Sequence, residues 1–317
     1  MKQQVFEQTY SPLWQEIESL VEGKTTTPSR EFPQQYKLLC QHLAVAKSRQ
    51  YTSHLINRLN NLVVSSHHIL YKKSAHSSQQ WLWFLISGFP ETVRKNWKFI
   101  AVAFCLFYLP LLAVGYGCYS NDELIYSIMP HENVREFEAM YNPSNEVLGE
   151  QRTASSKLAM FGHYIKNNIG IGFRSFAGGI LLGIGSIFFL VYNGFVIGGV
   201  AGHLTQLGYL STFYGFVAGH SAFELTAIVF CGAAGLKLGL SILDPGNLKR
   251  IDAIRVAGRE AIIIVYGSAL MLVIAAFIEA FWSSSQTLPL TVKFSFGGFW
   301  ALVLLIYFIF SGRRSEL

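Results

Sequence analysis

From residue 99 onward the chain consists largely of apolar stretches separated by short polar breaks. Crossing a hydrocarbon core takes roughly 20 helical residues. Lipid offers no partner to a bare peptide group, so stretches of that length are expected to fold as helices packed on one another. Composition points the same way. Of 317 residues, 51% are hydrophobic and only 14% are charged, where a soluble domain carries about 25% charge. The charge deficit is confined to the second part, because residues 1–98 read as an ordinary soluble sequence. The fold class expected is all-α: a polytopic transmembrane bundle of about six spans, some short or broken, behind a helical soluble region.

The first apolar span covers about 99–119 and is interrupted by Pro110. A polar, acidic segment follows at 120–154, with Asp122, Glu123, Glu132, Glu136, Glu138, Glu146 and Glu150 against Arg135 and Arg152. Residues 155–170 read as an amphipathic helix leading into a second span at about 171–192. Asn193-Gly194 is expected to break the chain there in a tight reversal with positive φ. A short apolar stretch, 195–207, follows. Further spans are expected at 220–242, 256–281 and 294–310. The domain division is therefore 1–97, cytoplasmic and helical, and 98–317, the bundle, with 120–154 extracytoplasmic.

The N-terminal region shows helical periodicity. Val5, Phe6, Tyr10, Leu13, Trp14, Ile17 and Leu20 recur at one face, and residues 34–74 supply one or two further amphipathic helices after a Gly/Thr/Pro-rich loop at 23–33. Residues 1–20 lack the apolar core of a cleavable leader, so the first span is expected to direct insertion itself. Trp81, Trp83, Phe89 and Trp97, mixed with Arg94, Lys95 and Lys98, suit the headgroup region of a bilayer.

Lys/Arg placement predicts orientation. Arg94, Lys95 and Lys98 precede the first span, Lys249, Arg250, Arg255 and Arg259 lie between two later ones, and Arg313 and Arg314 end the last. All three clusters favour the cytoplasm. That requires residues 195–218 to cross outward, and it leaves Arg174 anomalous at the outer end of the second span.

Small residues crowd the middle spans. Gly179xxxGly183, Gly194xxxGly198xxxGly202 and Gly235xxxGly239 each line one helical face, where helices approach closely in lipid. They serve packing within one chain or a homodimer. His220 and Glu224 share a face of one span, and Glu279 lies near the end of another at similar depth. Intramembrane carboxylates are costly and normally have a partner or a task. The three residues fit a structural clamp, a proton or cation site, or a metal site. Asn168 and Asn193 read as structural polar residues, Asn168 capping a break before Gly170. His163 and His203 read as interface residues. Cys40, Cys105, Cys118 and Cys231 form no CxxC or Cys/His metal spacing, and no nucleotide-binding or catalytic signature appears. The sequence implies no cofactor and no nucleic-acid partner.

The succession Asn168, Phe173, Phe176, Gly179, Gly183, Gly185, then Asn193-Gly194 and Gly198, then His220, Glu224-Leu225, Leu236 and Gly239, then Ile278-Glu279-Ala280-Phe281 resembles the stage II sporulation protein M family. The likeness covers residues 155–285. It departs at Gly219-His220-Ser221, where many members carry Pro-His-Gly. The resemblance implies a polytopic protein of the bacterial inner membrane working in a complex at the cell envelope, and the Lys/Arg pattern adds that both termini are cytoplasmic. Sporulating members are scaffolds that recruit peptidoglycan-degrading partners, whereas the long N-terminal region resembles members from bacteria that form no spores. The expected function is a non-enzymatic scaffold for an envelope complex, with other envelope or membrane proteins as partners. A transporter or channel-like protein using His220, Glu224 and Glu279 is the alternative, and an intramembrane hydrolase the weaker one.

Overall fold

A computed structural model describes residues 2–22, 31–71, 77–144, 154–285 and 288–313. The loop at 23–30, Glu146, Glu150, Arg152 and Arg314 lie outside the described residues. The chain divides into two compact units, Met1–Gln80 and Trp81–Leu317.

The first unit holds α1 (Gln3–Val21), α2 (Phe32–Ser48) and α3 (Ser53–Tyr71). Their apolar stripes meet in a core of Phe6, Trp14, Ile17, Phe32, Leu39, Leu43, Leu55 and Leu59. Trp14 Nε1 donates to His42 Nδ1 at 3.2 Å, which requires a neutral ring with Nδ1 unprotonated. Burial pushes His42 below the usual imidazole range. Arg58 grips Glu18 through Nε and Nη2 at 2.8 and 2.9 Å. Those hydrogen bonds hold the Glu18 carboxyl below its ordinary value.

After α4 (Ser77–Trp83), a π-turn at Phe84–Gly88 leads to α5 (Phe89–Lys95). The bundle then comprises α6 (Trp97–Ser120), α7 (His131–Tyr141), α8 (Ala154–Ala177), α9 (Ile184–Gln206), α10 (Leu210–Val217), α11 (Ser221–Leu243), α12 (Arg250–Ile278, continued by a π-turn at Glu279–Ser283) and α13 (Leu290–Phe310). Of these, α6, α9, α11, α12 with its π-turn, and α13 are long and apolar enough to cross a membrane. Helix α8 is more polar and packs against α9, α11 and α12.

Glycine contacts fix the directions. Gly194 meets the Phe107 backbone, Gly198 that of Leu111 and Gly202 that of Gly115, so α6 and α9 run parallel. Gly235 meets Ser186 and Gly239 meets Gly183, so α11 opposes α9. Gly172 packs on both Cys231 and Leu272, and Gly179 on Gly235, which sets α8 parallel to α11. Phe161 against Phe277 sets α8 antiparallel to α12. Phe223–Trp300 and Phe230–Phe308 align α13 with α11. Three rising helices thus alternate with three descending ones. The start of α6, the 178–183 turn, the 244–249 loop and the end of α13 share one end, here the basic end. The other is the site end.

Several expectations change. The break is not at Asn193-Gly194 but at residues 178–183, where Leu182 (φ 55°) and Gly183 (φ 85°) adopt the left-handed conformation. Helix α9 runs through Asn193, whose Nδ2 donates to Phe189 O at 2.6 Å. Gly194 is there because any side chain would collide with the Phe107 carbonyl, not because the chain reverses. The outward crossing expected of 195–218 is made by a longer helix that starts at Ile184. Likewise α8 continues past Gly170 without a break, so Asn168 caps nothing, and α6 continues through Pro110. Arg174 moves to the basic end, which removes the charge anomaly.

On α11 the aliphatic residues divide, with Val229 buried and Leu240 exposed. Small residues let several neighbours approach α11 closely, so 56% of its most apolar stretch is buried against 11% for α6 and for α13. The three glycine motifs are occupied by contacts within the chain, so they offer no open face to a second copy.

Two predictions follow from these contacts. Gly198→Ala drives a methyl into the Leu111 backbone, and overpacking of this kind costs about 1–3 kcal/mol. Thermal unfolding in detergent should show that loss, while Gly170→Ala, which meets nothing within 4 Å, should be neutral. Residues 1–80 form their own unit with Trp14 as its sole tryptophan. Its denaturant stability, read by Trp14 fluorescence, should be full above pH 6.5 and fall as acidification forces a proton onto His42. A further loss is expected below pH 4.5, as Glu18 protonates. A flat profile between pH 7.5 and 5 would contradict the buried neutral His42.

Candidate functional site

At the site end, the start of α11 presses against the end of α12. Contact is that close because residue 219 is glycine: a β-carbon would stand 2.7 Å from the Trp282 ring and 3.0 Å from Ser283 Oγ. His220 precedes the first turn of α11, and Glu224 follows one turn on. Opposite them α12 widens into its π-turn, a form that recurs at functional sites. Glu279 opens that turn and Ser283 closes it.

The structure brings His220, Glu224 and Glu279 together, with one donor atom from each lying within 4.8 Å of the others. His220 Nδ1 is 3.1 Å from Ser283 Oγ, so Nε2 is the nitrogen that faces Glu224 Oε2, 3.7 Å away. That separation is beyond hydrogen-bond range. Glu279 Oε2 is buried and has no hydrogen-bond partner. His220 is 4% exposed and Glu279 9%. The three side chains converge, with His220 and Glu224 within ion-pair distance and no hydrogen bond drawn between any two of the three.

Asn168 enters from α8 and interacts with the Glu279 carboxyl, although its Nδ2 lies outside good hydrogen-bond geometry. Tyr141 enters from α7. Burial first, then the charges of Glu279 and Glu224, raise its phenol above the usual range. Asn193 lies away from this group, in the middle of α9.

The cluster borders a cavity of about 490 Å³, whose walls include Phe137, Tyr141, Val196, Phe213 and Phe216. Beneath it α11 presents Ala227, Ile228 and Cys231, each no more than 2% exposed. The cavity is therefore a one-sided, largely apolar chamber with two carboxylates and an imidazole at its base. Such a set can hold a proton or a metal cation, which would offset the cost of two carboxylates in an apolar wall.

Sequence reasoning missed three elements. Ser283 sets the orientation of His220. Glu138 on α7 meets His203 Nε2 on α9 at 2.8 Å, tying the outer helix to the bundle. At the basic end Lys237 of α11 bonds Glu260 of α12. Glu260 also accepts from Lys95 at 2.6 Å and from Asn96 at 3.1 Å. Lys237 and Glu260 were visible as charges inside apolar spans, a signal that normally marks a pair.

The geometry predicts that Glu279→Gln leaves thermal stability unchanged or raises it, because a buried carboxylate with an unsatisfied oxygen is replaced by a neutral group of the same shape. A loss of about 1–3 kcal/mol in detergent melts would restore the clamp.

Residues 4–72 match a domain of unknown function (DUF8413). No curated protein and no solved structure matches the chain. Residues 99–284 match stage II sporulation protein M, a stretch that holds every pass but the last, both glycine-packed pairs of α9 and all three members of the His–Glu–Glu cluster. The chain belongs to the stage II sporulation protein M family of membrane proteins.

Proposed function

We propose that the chain is a transporter- or channel-like member of its family that takes a small charged species into the chamber above His220, Glu224 and Glu279. The observation that carries this reading is that the three polar side chains open onto a cavity rather than closing on one another. Broken or widened helices beside intramembrane charges are a recurrent setting for ion and substrate sites, and the π-turn at Glu279–Ser283 supplies one. The chamber is closed beneath, so passage requires the helices around Ala227 and Cys231 to move. No enzymatic step is part of this reading.

A second reading is the non-enzymatic scaffold of an envelope complex in the bacterial inner membrane. The separate helical unit at 1–80 and the outer helix α7 favour it, since both are natural docking elements. It stands second because a scaffold gives no reason for unbonded carboxylates in an apolar wall. A homodimer remains compatible with either, through faces other than the glycine motifs.

In the proposed orientation the basic end is cytoplasmic. Arg94, Lys95, Lys98, Arg174, Lys249, Arg250 and Arg313 cluster there, as the positive-inside rule demands. In a cysteine-free background, an impermeant thiol reagent added outside cells should label Glu136→Cys and spare Lys249→Cys. The opposite pattern overturns the orientation. Function is tested in proteoliposomes under imposed ion gradients. Proton or cation movement that is lost in Glu224→Gln, with assembly intact, is the expected result. The absence of any flux, with normal cellular activity of Glu224→Gln, would leave the scaffold.

A further inference from the structure

The chemistry of the cluster goes beyond a generic charged species. We propose that His220 Nε2, Glu224 and Glu279 form a binding site for one divalent transition-metal ion of the Zn²⁺ or Mn²⁺ type, with the remaining coordination position facing the chamber. This rests on the site reading above and names the class of its ligand.

The donor set comes first. One imidazole and two carboxylates suit zinc or manganese, whereas calcium and magnesium prefer oxygen ligands alone. The spacing comes next. Donors on a tetrahedral zinc ion, each about 2.0–2.1 Å from the metal, stand roughly 3.3 Å from one another. His220 Nε2 and Glu224 Oε2 are 3.7 Å apart, and all three donor atoms fall within 4.8 Å. Binding would draw the two glutamate carboxylates inward to close the difference.

A second, independent observation is the state of Glu279. Its Oε2 is buried with no hydrogen-bond partner, and the residue is 91% buried, being 9% exposed. A carboxyl so placed is satisfied by a proton or by a cation, and the imidazole and second carboxylate beside it favour the cation. Lys293, reaching this turn from α13, donates to the Ser283 carbonyl at 3.0 Å.

Ser283 provides the third observation. Metal-bound histidines use their other ring nitrogen to hold a hydrogen bond that fixes tautomer and orientation. Ser283 Oγ stands 3.1 Å from His220 Nδ1. With Nδ1 protonated and donating to that hydroxyl, the Nε2 lone pair is turned toward the two carboxylates. Three protein donors with a fourth position open to a cavity describe a site that exchanges its ligands, not a closed structural one.

The test uses the full chain in lipid nanodiscs, stripped with a chelator and titrated calorimetrically with Zn²⁺ alone and with Mn²⁺ alone. One ion per chain is expected for at least one metal. Glu279→Gln and Glu224→Gln should each weaken binding 100-fold or more. Ser283→Ala should weaken it about 10-fold, the range seen when the partner of a metal-bound histidine is removed. His203→Asn, away from the site, should bind as the wild type does. A metal-induced rise in melting temperature that vanishes in Glu279→Gln gives a second readout if any variant expresses poorly. Absence of stoichiometric binding by either metal, or binding that survives Glu279→Gln, overturns the inference. Proton flux that depends on Glu224 without metal binding would sink the metal and spare the transport reading. Metal binding without flux would do the reverse.

Discussion

In lipid the hydrophobic effect does not press helices together, since hydrocarbon tails are as apolar as leucine. What remains is close contact, and contact improves steeply when no side chain stands between two backbones. In this protein that contact runs along Gly194, Gly198 and Gly202 against α6, and along Gly179, Gly235 and Gly239 around α11. The positions of all other elements depend on these seams. They make α11 the central helix, they set the depth of His220 and Glu224, and they bring α12 near enough for Glu279 and Glu260 to find α11. A single methyl at several of these glycines would strike a backbone atom, which cannot swing aside as a side chain can.

The two ends of the bundle treat buried charge in opposite ways. At the basic end Lys237, Glu260, Lys95 and Asn96 satisfy one another in a compact network. At the site end two carboxylates and a histidine converge beside a cavity without a hydrogen bond among them. Complete pairing fixes helices in register. Incomplete pairing stores a demand that an external cation can meet. The contrast within one bundle is the physical argument for assigning structure to one cluster and binding to the other.

Much of this was legible in the sequence for simple reasons. Helical spans follow from length and hydropathy, and residues 220 and 224 share a face whatever surrounds them. Glu279 could be matched to their depth by counting from span ends. Asn193-Gly194 misled because the pair carries the same letters whether it turns a chain or lets a helix pass close to a carbonyl. The choice depends on α6, which is remote in sequence. The true turn at 178–183 is written in Gly-Gly-Ile-Leu-Leu-Gly, apolar throughout, so no polarity marked it. Ser283 and Tyr141 could not be read at all, because a serine past a span end and a tyrosine in an outer helix acquire meaning only through folding.

The parallel pairing of α6 with α9 has a bearing on how the protein is made. Neighbours in a simple up-and-down bundle can zip together as they leave the ribosome. Here the first span has to wait in the bilayer until α8 has returned from the site end, and only then does its glycine-faced partner arrive. Until that moment α6 shows its bare seam to lipid and to any other nascent helix. Helix α7 can join α9 through Glu138 and His203 only after that arrival. Assembly of this bundle is therefore gated by the third crossing, and the chamber cannot exist before the fourth and fifth have been inserted.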